Sequence, residues 1–383
     1  MDRRRRRVWI ALLLSAIVAA SGTLGVFLFA RADRGDEAAD DGGFGAVFSP
    51  GEGRSATDAA LVAELAEHYR DVAAFWTPER LAGARPLDLA APERAGSEDG
   101  VPPAPAVPPG SVAGSPPLDA QSPLGTPPRL AKASTQLPAA RGYPYTRYRW
   151  RGSLSLYPAT AHGKVFFVDP ADNEEYVCSA TVVNTGNRSV VWTAGHCVYN
   201  NEICQWMQNW VFKPAYEGGA HPEFGEWPAR MGGLAATTGW TGKTSDGNCI
   251  GGSFNFDLGA ALLVRSPNGR GIADVVGSRG IRWNSPRPVA KLRLWGYPAA
   301  PPFTGERLYV CDGRRGPDDG PDGAGPTPMG VGCDMTGGSS GGAWVLRGNV
   351  VSVNSYGPPN VMFGPYQGAA AAALYDLVNS IPS

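Results

Sequence analysis

The sequence predicts an all-β domain in the second half of the chain, closed by a C-terminal helix. Short apolar runs rich in β-branched and aromatic residues recur there, and Gly, Pro, Asn and Asp separate them, which is typical of strands joined by turns. Representative runs are residues 164–168, 179–183, 189–192 and 349–353. The segment 369–380 is alanine-rich instead, and its two leucines are spaced to share one face of a helix.

The N-terminus has the pattern of an export segment. Residues 3–7 are all arginine, and an uncharged apolar run follows from 8 to 30. A run of this length can span a bilayer with its basic end inside. Ala30-Arg31-Ala32 also fits a small-x-small cleavage site. Residues 1–32 are therefore expected to be either a cleaved signal peptide or a membrane anchor that tethers the chain through residues 8–30.

Residues 33–140 are expected to lie outside the main domain. The first part is polar and glycine-rich, a composition typical of disorder. One helix is predicted near 57–76, because apolar side chains recur at helical spacing and Pro78 follows. It is either an inhibitory or chaperoning prosegment or a helix packed on its neighbours. The rest, through about residue 140, is a proline- and alanine-rich linker. The folded domain is assigned to 141–383.

Six cysteines, all within 141–383, indicate disulfides rather than a metal site. An even number in an exported chain is typical of a disulfide framework. No metal is expected, because neither a Cys-x-x-Cys motif nor a histidine cluster is present. One pair, Cys311 with Cys333, would close the Gly/Pro/Asp-rich loop between them. The cysteines are Cys178, Cys197, Cys204, Cys249, Cys311 and Cys333.

The charge pattern gives no support for nucleic-acid binding. The formal net charge is −1, and no basic stripe or aromatic-interleaved basic cluster occurs. Nucleic acid is therefore not an expected partner.

Three short motifs contain the side chains needed to activate a serine. Ser340 lies in the glycine-rich segment 336–344, His196 follows Thr193-Ala194-Gly195, and Asp257 precedes an apolar run. A serine hydroxyl is a weak nucleophile, so an imidazole must take its proton during attack and return it to the leaving group. A carboxylate on the other ring nitrogen fixes the tautomer and stabilises the imidazolium. His196, Asp257 and Ser340 are therefore the candidate catalytic residues.

The residues next to the nucleophile are small enough to expose backbone N–H groups. Such groups stabilise the oxyanion that forms during acyl transfer. We assign these donors to Gly338 and Ser340, which form the candidate oxyanion hole.

These motifs resemble those of the trypsin/chymotrypsin-fold serine endopeptidases, which have Thr-Ala-x-His-Cys around the histidine and Gly-x-Ser-Gly-Gly around the serine. The resemblance covers about the last 240 residues, the size of an all-β barrel pair. Segments 334–340 and 292–298 are similar to the bacterial branch that includes glutamyl endopeptidases. The resemblance implies two six-stranded antiparallel barrels, with His196 and Asp257 in the first, Ser340 in the second and the cleft between them.

The resemblance also implies one disulfide and one activation feature. Cys178 pairs with Cys197 and clamps the histidine loop, which leaves Cys204 with Cys249 by elimination. Ser339 stands where trypsins have an aspartate that receives a new N-terminal ammonium. Activation by that ion pair is therefore not expected.

Substrate-binding residues are suggested by two further positions. Ser355-Tyr356-Gly357 resembles the Ser-Trp-Gly segment along which an extended peptide binds by β-addition. Asp334 either lines the primary specificity pocket, where it would favour basic residues, or is a structural carboxylate bound to the nucleophile loop. Asn354 replaces the histidine of glutamyl-specific relatives, which argues against acidic specificity.

Together these features predict an exported serine endopeptidase that works through an acyl-enzyme and needs no cofactor. Its partners would be protein or peptide substrates, and a monomer is expected. Its location would be secreted or on the extracellular side of the membrane. The alternative is a catalytically silent trypsin-fold module that binds partners at the cell surface.

Overall fold

A computed structural model describes most of the chain from residue 143 onward and three segments before it. The described residues are 44–50, 59–87, 107–118, 143–221, 223–242, 249, 252–288, 290–320 and 325–382. The predicted export segment, residues 1–32, lies outside them. Among the helices within these ranges, none combines the length and the hydropathy needed to cross a membrane.

The described residues form nineteen strands and five α-helices. In chain order the strands are β1 Ala46–Phe48, β2 Arg85–Pro86, β3 Gly110–Val112, β4 Tyr145–Arg149, β5 His162–Asp169, β6 Glu174–Val182, β7 Val190–Thr193, β8 Tyr199–Asn200, β9 Gln205–Trp206, β10 Gln208–Pro214, β11 Trp227–Thr237, β12 Gly259–Leu263, β13 Gly280–Trp283, β14 Leu292–Gly296, β15 Tyr309–Gly313, β16 Met329–Gly332, β17 Ala343–Leu346, β18 Asn349–Val353 and β19 Val361–Gly364. The helices are α1 Ala59–Phe75, α2 Pro78–Gly83, α3 Thr238–Thr241, α4 Ile272–Val276 and α5 Ala369–Ser380.

The first barrel is a closed ring of six antiparallel strands. The pairing order is β10, β5, β6, β7, β12 and β11, and β11 returns to β10. All of β5 is buried, although a strand with one solvated face would alternate. Other parts of the chain cover one face of β5 at two points along the strand. Phe166 packs on Trp76, and His162 stacks on Trp295.

The second barrel closes through a sheet and a ribbon. Strands β18, β17, β14 and β15 pair in that order, and β16 pairs with β19. Isolated antiparallel bridges, Arg315 with Val331 and Tyr356 with Phe363, join the ribbon to the sheet at both ends. The six strands therefore form the second predicted barrel. Three others extend it: β13 lies parallel to β18, β3 pairs with β13, and β4 pairs with β15.

Segments before residue 141 are part of these sheets, which differs from the linker that their composition predicts. Strand β1 pairs with β11, β2 with β6, and β3 with β13. Each is only two or three residues long and pairs with an available strand edge, an interaction made by backbone groups whatever the side chains. The proline-rich composition therefore did not prevent residues 107–118 from joining the fold.

Helix α1 lies within the predicted span 57–76 and packs against β10 and β11. The buried Trp76 follows it and donates from Nε1 to the Asn209 carbonyl at 2.6 Å. His68 Nε2 lies 2.8 Å from the Ala229 carbonyl. Helix α1 is therefore packed on the first barrel, and its role as a prosegment stays a prediction.

The C-terminal helix α5 has the predicted bounds. It covers β1, β11 and β12 of the first barrel, and Leu374 and Val378 are completely buried. Its apolar face thus closes the side of that barrel.

Candidate active site

His196 lies in a 3₁₀ turn, Gly195–Cys197, directly after β7. Its side chain is 3 % exposed, and the Cys178–Cys197 disulfide ties the turn to β6. Gly195 is required for the close packing here: a Cβ would lie 2.5 Å from the Trp240 ring and 3.0 Å from Asp257 Oδ1. The turn therefore places the imidazole against the carboxylate with no room between them.

Asp257 is fully buried and connects the 3₁₀ turn Phe254–Phe256 to β12. Its Oδ2 lies 2.8 Å from His196 Nδ1, and its Oδ1 accepts from the His196 backbone N–H at 2.9 Å. Ser355 Oγ also donates to Oδ2. An ionised carboxylate only accepts, so Nδ1 carries the ring proton and Nε2 has the free lone pair. Nε2 is therefore the acceptor nitrogen of His196.

Strand β6 attaches both the histidine turn and the nucleophile loop. Cys178 binds Cys197, and the next residue, Ser179, donates from its backbone N–H to the Ser340 carbonyl at 2.7 Å. Ser179 Oγ also donates to the Gly338 carbonyl at 2.9 Å. Two adjacent residues of one strand thus attach the turn that contains His196 and the loop that contains Ser340.

Ser340 Oγ and His196 Nε2 have no hydrogen-bond partner within the described ranges. Catalytic hydrogen bonds are often long or poorly aligned before substrate binds, so a missing bond does not exclude either residue as a candidate. Ser340 is 7 % exposed and is followed by two glycines. Neither atom is bonded to another group within the described ranges.

The backbone N–H groups of Gly338 and Ser340 have no acceptor among the described residues. Gly338 has a φ of +88°, and its Cβ would lie 2.8 Å from Ala299 Cβ. A larger residue would therefore strain the turn that presents these donors.

The segment 355–357 has one role that the sequence analysis did not identify. The Ser355 side chain faces Asp257, not the cleft, and Tyr356 is buried between Phe254 and Phe363. The local sequence does not indicate whether the Ser355 side chain points toward Asp257 or away from it. The Ser355 carbonyl and the Gly357 N–H have no bonded partner in the part of the chain described, so the backbone can still receive a peptide strand.

Asp334 is occupied by an ion pair. Its Oδ1 lies 3.0 Å from Nε of Arg147 on β4, although without hydrogen-bond alignment. Burial raises the pKa of Asp334, and the positive charge of Arg147 opposes that shift. Arg147 also packs over the Phe303 ring at 4.8 Å. The partner lies on β4 and not on the nucleophile loop, so both alternatives for the role of Asp334 stay predictions.

The cysteines form three disulfides: Cys178–Cys197, Cys204–Cys249 and Cys311–Cys333. They are the pairs expected from the sequence. The two clusters of metal-ligand side chains within the described residues are built around two of these bridges, with His196 or Asp334 as the third member. A disulfide sulfur is not a thiolate, so neither cluster has the donors of a zinc site.

Comparison with known proteins gave matches only among solved structures. No protein-family model matches the chain, and no curated protein is similar enough to count as a relative. A thermostable serine protease, AL20, from an extremophilic microorganism is 36% identical over 58% of this chain and 98% of its own, with a TM-score of 0.50. The protease Anisep from Arthrobacter nicotinovorans is 37% identical over 59% of this chain and 98% of its own, also with a TM-score of 0.50.

A Glu endopeptidase is matched as well, at 17% identity and a TM-score of 0.47 over 61% of this chain and 96% of its own. The first two proteases carry the assignment, because more than a third of the aligned residues are identical and nearly their full length is covered. The chain therefore belongs to the family of trypsin-like serine proteases.

Proposed function

We propose that the chain is an active serine endopeptidase that uses His196, Asp257 and Ser340 as its catalytic triad. The observation that carries this proposal is the bond from His196 Nδ1 to the buried Asp257, with the His196 turn and the Ser340 loop both attached to strand β6. This bond gives His196 the tautomer that a serine nucleophile needs in its base. A silent binding module would not require this arrangement.

In the acylation step, Ser340 Oγ attacks the carbonyl carbon of the scissile bond while its proton moves to His196 Nε2. The carbonyl oxygen becomes an oxyanion that accepts from the Gly338 and Ser340 N–H groups. As the C–N bond breaks, the leaving amine takes the proton from Nε2, and the acyl group remains as an ester on Ser340.

Deacylation repeats these transfers with water. His196 Nε2 takes a proton from the water while the oxygen attacks the ester carbonyl, and the proton then returns to Ser340 Oγ as the C–O bond breaks. Asp257 stays ionised and stabilises the imidazolium in both steps. No cofactor or metal is needed for this balance.

The proposed substrate is an extended peptide that pairs with the backbone of Ser355 and Gly357. Asp334 is not proposed as a determinant of basic specificity, because Arg147 already neutralises it. Three disulfides are typical of an oxidising compartment, which supports an extracellular location. Export through residues 1–32, as a signal peptide or a membrane anchor, and a monomeric state remain part of the proposal.

The test is the peptidase rate of Ser340→Ala on a broad-specificity protein substrate. We expect a loss of at least about 10³-fold, because the nucleophile is removed. His196→Ala should lose a similar factor, and the double variant should be no slower than either single one, since triad members act as a unit.

Ser352→Ala is a matched control. Ser352 is also completely buried, and its Oγ donates to the Pro365 carbonyl at 2.8 Å, away from the triad. This variant should keep its activity. Retention of activity within about tenfold by Ser340→Ala would contradict the proposal.

A further inference from the structure

Asn354 is a fully buried amide whose hydrogen-bonding groups are all used. Its Nδ2 donates to the Ser339 carbonyl at 3.0 Å and to the Trp295 carbonyl at 3.1 Å. Its Oδ1 accepts from Trp344 Nε1 at 2.8 Å. Its backbone also bonds the nucleophile loop, since Gly341 N–H donates to the Asn354 carbonyl and Asn354 N–H to the Gly342 carbonyl, each at 2.8 Å.

The Ser339 carbonyl belongs to the same peptide unit as the Ser340 N–H. A trans peptide is planar, so its C=O and its N–H point in opposite directions. The bond from Asn354 holds the C=O toward the protein interior, and Gly342 N–H donates to the same oxygen at 3.0 Å. The Ser340 N–H must then point away from the interior, toward the cleft.

The other oxyanion donor is held in the same way, but without a side chain. The Gly337 carbonyl, in one peptide unit with the Gly338 N–H, accepts from the Ala299 and Ala300 N–H groups at 2.8 and 3.2 Å. Of the two peptide units, only the one between Ser339 and Ser340 therefore depends on a side-chain donor.

We infer that Asn354 is the positioning residue of the oxyanion hole: its amide orients the Ser339–Ser340 peptide so that the Ser340 N–H is ready to bind the oxyanion. The inference rests on the proposed function and goes beyond it. Ser339 itself donates from Oγ to the Thr336 carbonyl at 2.8 Å. The loop is thus held by neutral hydrogen bonds, and no new N-terminal ammonium is needed to form the donor.

A role for Asn354 in substrate specificity does not fit the structure. The residue has no exposed surface, and both ends of its amide are bonded to protein groups. It acts through Ser340 and cannot touch a substrate side chain. Its removal should therefore lower kcat and leave KM nearly unchanged, because the oxyanion forms only in the transition state.

The experiment replaces the amide by a near-isosteric acceptor, Asn354→Asp. The new side chain can still accept from Trp344 Nε1, but it donates to nothing when ionised and to at most one carbonyl when protonated. Asn354→Ala, which removes both donors in any protonation state, is therefore measured beside it. Loss of an oxyanion donor costs about 10²–10³ in kcat, and Gly342 N–H still holds the Ser339 carbonyl, so we expect a smaller fall of about 10- to 100-fold. The inhibition constant of a peptide aldehyde, whose adduct carries the oxyanion, should rise by a similar factor.

Asn187→Asp is the matched control. Asn187 is also buried, and its Nδ2 donates to the Val378 and Ile381 carbonyls at 2.8 and 3.0 Å. These bonds join it to the end of the C-terminal helix and not to the Ser340 loop. The two variants should lose similar stability, measured by chemical unfolding, but only Asn354→Asp should lose kcat. Should Asn354→Asp not fold, Asn354→Ala removes the same donors, and the same fall in kcat is expected.

Three outcomes would overturn the inference: a kcat within about twofold of wild type, a rise in KM with kcat unchanged, or an equal loss of kcat in the Asn187 control. An inactive wild-type protein would instead contradict the proposed function. The two failures are therefore distinguishable.

Discussion

Lowering the pH below about 6.5 should destabilise the fold through one buried histidine, His162. Its Nδ1 lies 2.9 Å from Thr181 Oγ1, and Nε and Nη2 of Arg279 lie 3.1 and 3.0 Å from its Nε2. Its ring stacks on Trp295 with centroids 4.3 Å apart. A guanidinium only donates, so Nε2 must accept and the imidazole is neutral in the fold. A second proton would break that bond and place two cations side by side.

Burial, and then the charge of Arg279, hold the pKa of His162 well below its ordinary value of 6.5. Burial also lowers the pKa of Arg279 to about 10, so Arg279 remains charged at neutral pH. Below about 6.5 the unfolded chain binds a proton at this histidine that the folded chain does not. The neutral His162 therefore contributes fully to the free energy of unfolding above the unfolded pKa. As the pH falls below that pKa, this contribution decreases by about 1.4 kcal/mol per pH unit.

The assay is urea unfolding of the wild type and of His162→Gln at several pH values from about 7.5 to 4.5. Glutamine keeps an acceptor for Arg279 but does not titrate. The free energy of unfolding of the wild type should fall faster than that of the variant, by up to about 1.4 kcal/mol per unit. The partly exposed His221, replaced by glutamine, is the control and should keep the wild-type slope. Parallel curves for wild type and His162→Gln would refute the reasoning.

Two further predictions concern the support of Asp257 and the N-terminal helix. Ser355→Ala removes one of three donors to Asp257. It should lower kcat about 10-fold with KM unchanged, because a hydrogen bond to a charged group contributes about 1.5–3 kcal/mol. A kcat equal to that of the Ser352→Ala control would contradict this prediction. Trp76→Ala should lower the free energy of unfolding by about 3–5 kcal/mol, because the buried indole packs on the first barrel. Unchanged stability would show that helix α1 is not part of the cooperative unit.

The sequence was informative where a local pattern carries the signal. Helix α5 ends where its alanine-rich pattern ends, and the motifs around His196 and Ser340 are short and contiguous. The strand predicted at 349–353 coincides with β18, because a short run rich in β-branched residues is visible without its neighbours.

Features set by distant contacts were not visible in the sequence. Strands β1, β2 and β3 have two or three residues each, too few for any periodicity, and their pairing is decided by the edges that they meet. The orientation of the Ser355 side chain depends on Asp257, 98 positions away. The pairing of Asp334 with Arg147 likewise joins the loop after β16 to strand β4, which only the fold brings together. A serine hydroxyl or an aspartate carboxylate can bond many kinds of group, so the residue type alone does not identify the partner of Ser355 or Asp334.

The central claim is that Ser340 is an activated nucleophile, and covalent labelling tests it most directly. The wild-type protein should react with a fluorophosphonate, and peptide mapping should place the adduct on Ser340. Both His196→Ala and Ser340→Ala should remain unlabelled under the same conditions, because the hydroxyl needs the imidazole to accept its proton. A folded wild-type protein that stays unlabelled, or an adduct on another residue, would contradict the account.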